Sequence, residues 1–133
     1  MELQVGVRIF LKNKDGKYLA MLRSAEKYPE AGAKWEMVGG RINPGTPLIE
    51  NIKREVMEET GLEITGEPEL VTAQDILRPH KHIVRLTYSG FADGEVKLSE
   101  EHTEYKWLTK NEILKLEPLD KYFREVLEKF YEK

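Results

Sequence analysis

The sequence predicts an α+β fold in which helices cover the faces of a mixed β-sheet. Three observations carry that expectation. Short apolar runs alternate with polar residues at Val5, Val7, Ile9 and Leu11 and again around Ile83, Val84, Leu86 and Tyr88. Helical character is confined to residues 47–60 and to the end of the chain. Strands and helices do not follow one another in the regular alternation of an all-parallel sheet. At 133 residues and 40% hydrophobic content the chain can build one real core and not two comfortable ones, so one domain over 1–133 is expected.

A first strand is expected from about Gln4 to Lys12, ending at the turn formers Asn13, Lys14, Asp15 and Gly16. Tyr18 to Arg23 then supply a second run, and the two read as a hairpin. A loop from Ser24 to Lys34 leads into a short strand, Trp35 to Val38, that the Gly39-Gly40 pair should stop. From Pro47 to Thr60 a helix is expected, with Thr46 as N-cap, Pro47 as first helical residue and Gly61 as terminator. Glu69 to Leu77 and His82 to Ala92 follow as strands, the second ending at an Asp93-Gly94 turn, and Tyr105 to Leu108 form a last one. Two helices, Asn111 to Leu116 and Leu119 to Phe130, close the chain on either side of Pro118.

Composition excludes several classes of function. The net charge of −3 leaves no global basic field for nucleic acid or an anionic membrane, so any phosphate must be met locally. With no cysteine there is no disulfide, thiolate zinc cluster or thiol nucleophile. The N-terminus lacks the pattern of a signal peptide, and no apolar stretch approaches membrane-spanning length, so the cytoplasm is the expected location.

The chemistry is expected on the central helix. At about 100° per residue Leu48, Ile49, Ile52 and Val56 share one buried stripe. On the same wheel Glu55 and Glu59 lie about 20° to either side of Leu48 and Glu58 about 80° away, so three carboxylates stand on one side of the helix. Such charges repel one another on a partly desolvated face unless a cation lies among them, and oxygen ligands suit a hard divalent ion, magnesium or manganese. Most charge runs are simply a solvated helix face. Glu59 argues against that reading because it projects within the apolar stripe and sits near the helix C-terminus, where the macrodipole disfavours a carboxylate. Arg54 can pair with Glu58 or brace Glu55.

Gly40, five residues, Thr46, seven residues, then Arg54-Glu55-Val56-Met57-Glu58-Glu59-Thr60-Gly61-Leu62 resembles the signature of the Nudix hydrolase family. Trp35-Glu36 before the glycine pair and Glu101-His102-Thr103-Glu104-Tyr105-Lys106-Trp107 near the end are similar to family features as well. The resemblance implies an α/β/α sandwich with a mixed central sheet and a pyrophosphohydrolase acting on an acid anhydride. It also implies Glu58 and Glu59 as metal ligands, Glu55 as ligand or base, Arg54 as the group orienting a neighbouring carboxylate, and the Gly40 carbonyl in the metal shell. A later glutamate completes the shell or activates water; Glu101 is the choice, with Glu104 and Glu100 behind it. Thr46 stands where the signature has its first glutamate, and Asn43 where an acidic residue is common, so fewer carboxylates surround the cations.

These expectations assemble into hydrolysis of a diphosphate linkage in a nucleoside di- or triphosphate derivative, by attack of water at phosphorus. Arg23 and Arg41 are candidate phosphate contacts. Tyr28, Tyr88 and Tyr105 offer rings for stacking a base, although aromatic residues in strands are more often core. The three histidines, His80, His82 and His102, form no metal motif and read as surface or loop residues. The loop 98–107 resembles that of dinucleoside polyphosphate hydrolases, and Pro79 lies near where ADP-sugar hydrolases carry a proline, so the substrate within the class stays open. The expected partner is a small nucleotide-like molecule, with the chain a monomer or homodimer. Two rivals stand beside this reading. One is a non-catalytic nucleotide sensor, and the other an RNA 5′-end pyrophosphohydrolase, which needs a basic groove that the net charge does not favour.

Overall fold

The structure is a computed structural model and describes residues 1–129. Its organising strand is β1 (Glu2–Lys12), which pairs in parallel with β6 (Lys81–Phe91) along its whole length, from Glu2↔Lys81 to Lys12↔Phe91. β5 (Thr65–Arg78) adds antiparallel to β6. On its other side β1 is shared: Lys12 pairs with Tyr18 of β2 (Tyr18–Arg23), while Gly6 to Ile9 pair with β4 (Val38–Arg41). β3 (Trp35–Glu36) and β7 (His102–Leu108) both add to β2, giving a mixed seven-stranded sheet.

Period-two alternation sends the two sides of each strand into two separate cores. Val7, Ile9, Leu11, Leu19 and Met21 pack with Ile52, Val56 and Leu62 of helix α1 (Leu48–Thr60) and its exit. Phe10, Ala20, Trp35 and Met37 pack on the opposite face with Ile113 of α2 (Lys110–Leu114) and Phe123, Val126 and Leu127 of α3 (Lys121–Lys129). The result is the expected α+β sandwich of a mixed sheet between helical layers. Each buried Val, Leu, Ile, Phe or Met side chain among these contributes on the order of 1.5–3 kcal/mol by leaving water. No helix among the described residues is long and apolar enough to cross a membrane.

Several expected boundaries move, each for a physical reason. The strand expected to stop at the glycine pair is two strands, and the pair lies inside β4. A side chain there has no room: a Cβ on Gly39 would meet the Val7 carbonyl oxygen at 2.0 Å, and one on Gly40 would meet a Glu55 carboxylate oxygen at 2.9 Å. Thr46 does not cap α1. The cap is Pro47, whose ψ of 151° is not helical and whose carbonyl accepts the first helical bond, from Asn51 N–H, so Pro47 is not a helical residue either. Gly61 does end the helix, left-handed at φ 73° and donating to the Met57 carbonyl.

β5 begins earlier than expected, at Thr65, and β7 at His102, because both lean on partners invisible to local pattern. α2 begins behind a capping box of Thr109 and Glu112. Leu119 lies outside α3 because its backbone bridges to Trp35, and the Asp120 carboxylate accepts from Phe123 N–H at the helix start. The expected end of this helix at Phe130 lies outside the described residues.

Candidate active site

Helix α1 carries its carboxylates into three different environments. Glu59 is buried to 2% exposure, the Glu55 side chain is 12% exposed, and the Glu58 side chain is 59% exposed. The wheel anticipates this order, since Glu55 and Glu59 flank the apolar stripe and Glu58 stands further round. Glu58 therefore does not join the buried pair; it stands outside, tied to Arg54 Nη1 at 3.2 Å. The same nitrogen reaches Glu55 at 2.9 Å, so Arg54 spans both carboxylates. Its Nη2 donates to Asn51 Oδ1 at 3.0 Å and to the Arg41 carbonyl at 3.4 Å.

Burial, then contact with the Glu55 carboxylate, pushes the Glu59 carboxyl from 4.5 up to about 10. Among the described residues neither of its oxygens has a hydrogen-bond donor. Two ionised carboxylates cannot donate to each other, so the Glu55–Glu59 contact needs a shared proton or a cation. Against Glu59 lie the turn preceding β7 and its first residue. Glu59, Glu101 and His102 each offer a ligand atom, and these atoms lie within 4.8 Å of one another. Glu101 is held in place by its neighbours: its side chain accepts from the Tyr28 hydroxyl at 3.1 Å, and its carbonyl accepts from Ser24 N–H at 2.8 Å. Buried oxygen acceptors without donors, beside further carboxylates, fit a hard divalent cation, which Glu55, Glu59 and Glu101 are placed to hold.

His102 corrects the expectation of a surface histidine. It is 5% exposed, with Nε2 at 2.8 Å from Glu36 Oε2 and Nδ1 facing Glu59 Oε1 at 4.0 Å. The reason lies in pairing, since His102 stands opposite Arg23 of β2, one strand away from Glu36. Arg23 in turn grips Glu36 through both Nε and Nη2. Burial opposes ionisation of Glu36, yet His102, Arg8 and Arg23 together hold its carboxyl down at about 2. Two buried glutamates on either side of His102 are thus driven in opposite directions, Glu36 by hydrogen bonds and charge from His102, Arg8 and Arg23, and Glu59 by burial and the neighbouring carboxylates of Glu55 and Glu101, which outweigh Arg8.

The remaining sequence candidates are dispersed. Gly40 lies in β4 against Glu55, and its missing side chain is what admits that carboxylate. Arg41 is exposed and donates to Gln4. Arg23 has its fork committed to Glu36 and its guanidinium over the Tyr28 ring at 5.4 Å. Glu100 pairs with Lys27 in solvent, and Glu104 is exposed. Tyr88 is core, Tyr105 is partly exposed, and Tyr28 serves Glu101. His80 is exposed and His82 pairs with Asp75.

Asn51, Glu36 and His102 escape sequence reasoning as site residues. The adjacency of Glu36 to the glycine pair, and of His102 to Glu101, were the available signals. Asn51 is buried and joins the loop to the helix. Its Nδ2 donates to the Thr46 and Pro47 carbonyls, and its Oδ1 accepts from Asn43 N–H and Arg54.

Comparison with known proteins agrees with this geometry. The family model described as NUDIX domain matches residues 2–130. A nucleoside triphosphatase, NudI, of Escherichia coli O17:K52:H18 is 28% identical over 111 residues, 75% of this chain and 78% of that protein. The asymmetrical bis(5′-nucleosyl)-tetraphosphatase of Rattus norvegicus is 30% identical over 91 residues, 62% of this chain and 60% of that protein. Among solved structures, a MutT protein from Methanosarcina mazei Go1 superposes with a TM-score of 0.85 at 32% identity, covering 96% of this chain and 91% of its own.

Proposed function

The chain belongs to the NUDIX family of pyrophosphohydrolases, and from that premise we propose that it cleaves a diphosphate linkage in a nucleoside di- or triphosphate derivative, using magnesium or manganese and water attack at phosphorus. The observation that carries the reading is Glu59, a buried carboxylate with two unpartnered oxygens beside Glu55 and Glu101. A divalent cation held there supplies positive charge against the phosphoryl oxygens and lowers the pKa of a water. The protein's own groups do the rest. Glu59 and Glu55 hold the cation, with Glu58 at the open rim, while Arg54 fixes the orientation of Glu55 and Glu58; the Gly40 carbonyl is a further candidate donor. Glu101, or Glu55, takes the proton of the attacking water, and the Tyr28 hydroxyl keeps Glu101 aimed. Arg41, exposed at the end of β4, is free to swing from Gln4 onto a substrate phosphate, whereas Arg23 reaches substrate only by releasing Glu36.

Nucleoside triphosphates and dinucleoside polyphosphates stand first among the substrates, because the two curated relatives are named for them. A screen of these, with nucleotide sugars and oxidised nucleoside triphosphates, tests the proposal. Release of phosphate or a mononucleotide in the presence of magnesium or manganese, and none with chelator, is the expected result. Tight nucleotide binding without release would instead mark a sensor, and preference for triphosphorylated RNA with a steep salt dependence would mark an RNA-end hydrolase.

A further inference from the structure

We propose that His102 is itself a ligand: its Nδ1, with the carboxylates of Glu59 and Glu101, forms a cation position of mixed nitrogen and oxygen donors. The proposal rests on the reading of Glu59 as a metal carboxylate and adds a donor of different chemistry to it.

The imidazole proton can be placed from its neighbours. Glu36 is gripped by Arg23 and is therefore an ionised acceptor, so the nitrogen 2.8 Å from its Oε2 carries hydrogen. In the neutral ring Nδ1 is then left with a lone pair. It is buried and has no hydrogen-bond partner among the described residues, and neither has either oxygen of Glu59. With Glu59 ionised, three buried acceptor atoms therefore meet without a hydrogen-bond donor between them, an arrangement unfavourable until a cation enters. The 4.0 Å between Nδ1 and Glu59 Oε1 is too long for a hydrogen bond, but a cation about 2.0–2.2 Å from each atom spans it.

The surroundings match what an imidazole ligand needs. Ligating histidines almost always give their second ring N–H to a carboxylate or carbonyl, which fixes the tautomer and raises the basicity of the ligating nitrogen. Glu36 fills that place and is itself fixed by Arg23 from the adjacent strand. The Arg23–Glu36–His102 chain is thus a hydrogen-bonded support, buried at Glu36 and His102 and partly exposed at Arg23, whose inner end is the nitrogen facing Glu59. A nitrogen donor shifts preference from magnesium toward manganese and the later first-row ions.

Electron spin-echo modulation of the protein loaded with Mn²⁺ alone tests this without reference to turnover. His80→Gln with His82→Gln leaves His102 as the sole histidine of the three. In that variant we expect a nitrogen coupling to Mn²⁺ that changes isotope when histidine is supplied as ¹⁵N. His102→Gln should remove the coupling and weaken Mn²⁺ about tenfold to a hundredfold, and weaken Mg²⁺ less. Absence of histidine coupling, with Mn²⁺ affinity still dependent on Glu59, would overturn the imidazole ligand and leave the carboxylate site standing. Mn²⁺ affinity unchanged in Glu59→Gln would overturn both.

Discussion

The two ends of helix α1 solve opposite problems. At the N-terminal end the Asn51 side chain is fully satisfied, with four hydrogen bonds joining loop 43–47, helix and Arg54. At the C-terminal end Glu59 is also buried and has no donor among the described residues. The first arrangement lowers the free energy of the empty protein; the second raises it until a cation arrives. A satisfied buried network is therefore read as architecture and an unsatisfied one as a binding site.

The sharpest test of that contrast is Glu59→Gln. Steady-state hydrolysis should fall by at least about a hundredfold, since the charge that holds the cation is lost while side-chain shape is kept. Glu58→Gln should also lower turnover, by less, because that carboxylate is already solvated at the rim. Retention of full activity by both variants would falsify the assigned roles. The same Glu59→Gln change should make the metal-free protein more stable, in a thermal melt with chelator.

The pH dependence separates the two buried glutamates. Glu59 has a folded value near 10 against 4.5, so its contribution is complete below pH 4.5 and is lost as pH rises toward 10. Glu36 has a folded value near 2, so its contribution is present above pH 4.5 and is lost as pH falls toward 2. In chelator the melting temperature should decline from pH 5 to pH 9, and Glu59→Gln should flatten that decline. Excess divalent cation should flatten it too, since it replaces the proton. A slope unaffected by either would break the comparison.

Asn51→Ala tests the satisfied end. It leaves several groups without partners and should cost about 2–4 kcal/mol in denaturant unfolding, with turnover well below the melting point reduced far less than in Glu59→Gln. The smallest effect is expected from Thr46→Ala, within about 0.5 kcal/mol, because the Thr46 hydroxyl caps nothing and its hydrogen bonds are those of its backbone N–H and carbonyl, which alanine keeps. A loss near 1 kcal/mol in Thr46→Ala would restore the side-chain cap that the sequence suggested.

The pattern of residues settled a good deal. Period-two runs in β1, β2 and β6, the apolar stripe of α1 and its glycine stop follow from local side-chain geometry, and the angular position of Glu59 announced its burial. Other features were decided by groups distant in sequence. The glycine pair reads as a stop until Val7 and Glu55 are seen pressing on it, and Thr46 reads as a cap until Asn51 is seen taking over the loop. His102 shows no local pattern; the β2–β7 register buries it between Glu36 and Glu59. Periodicity reports which face of an element is apolar, because that preference belongs to each residue alone. Which charged groups meet once those faces are buried depends on strand register and crossing, and only the assembled sheet fixes those.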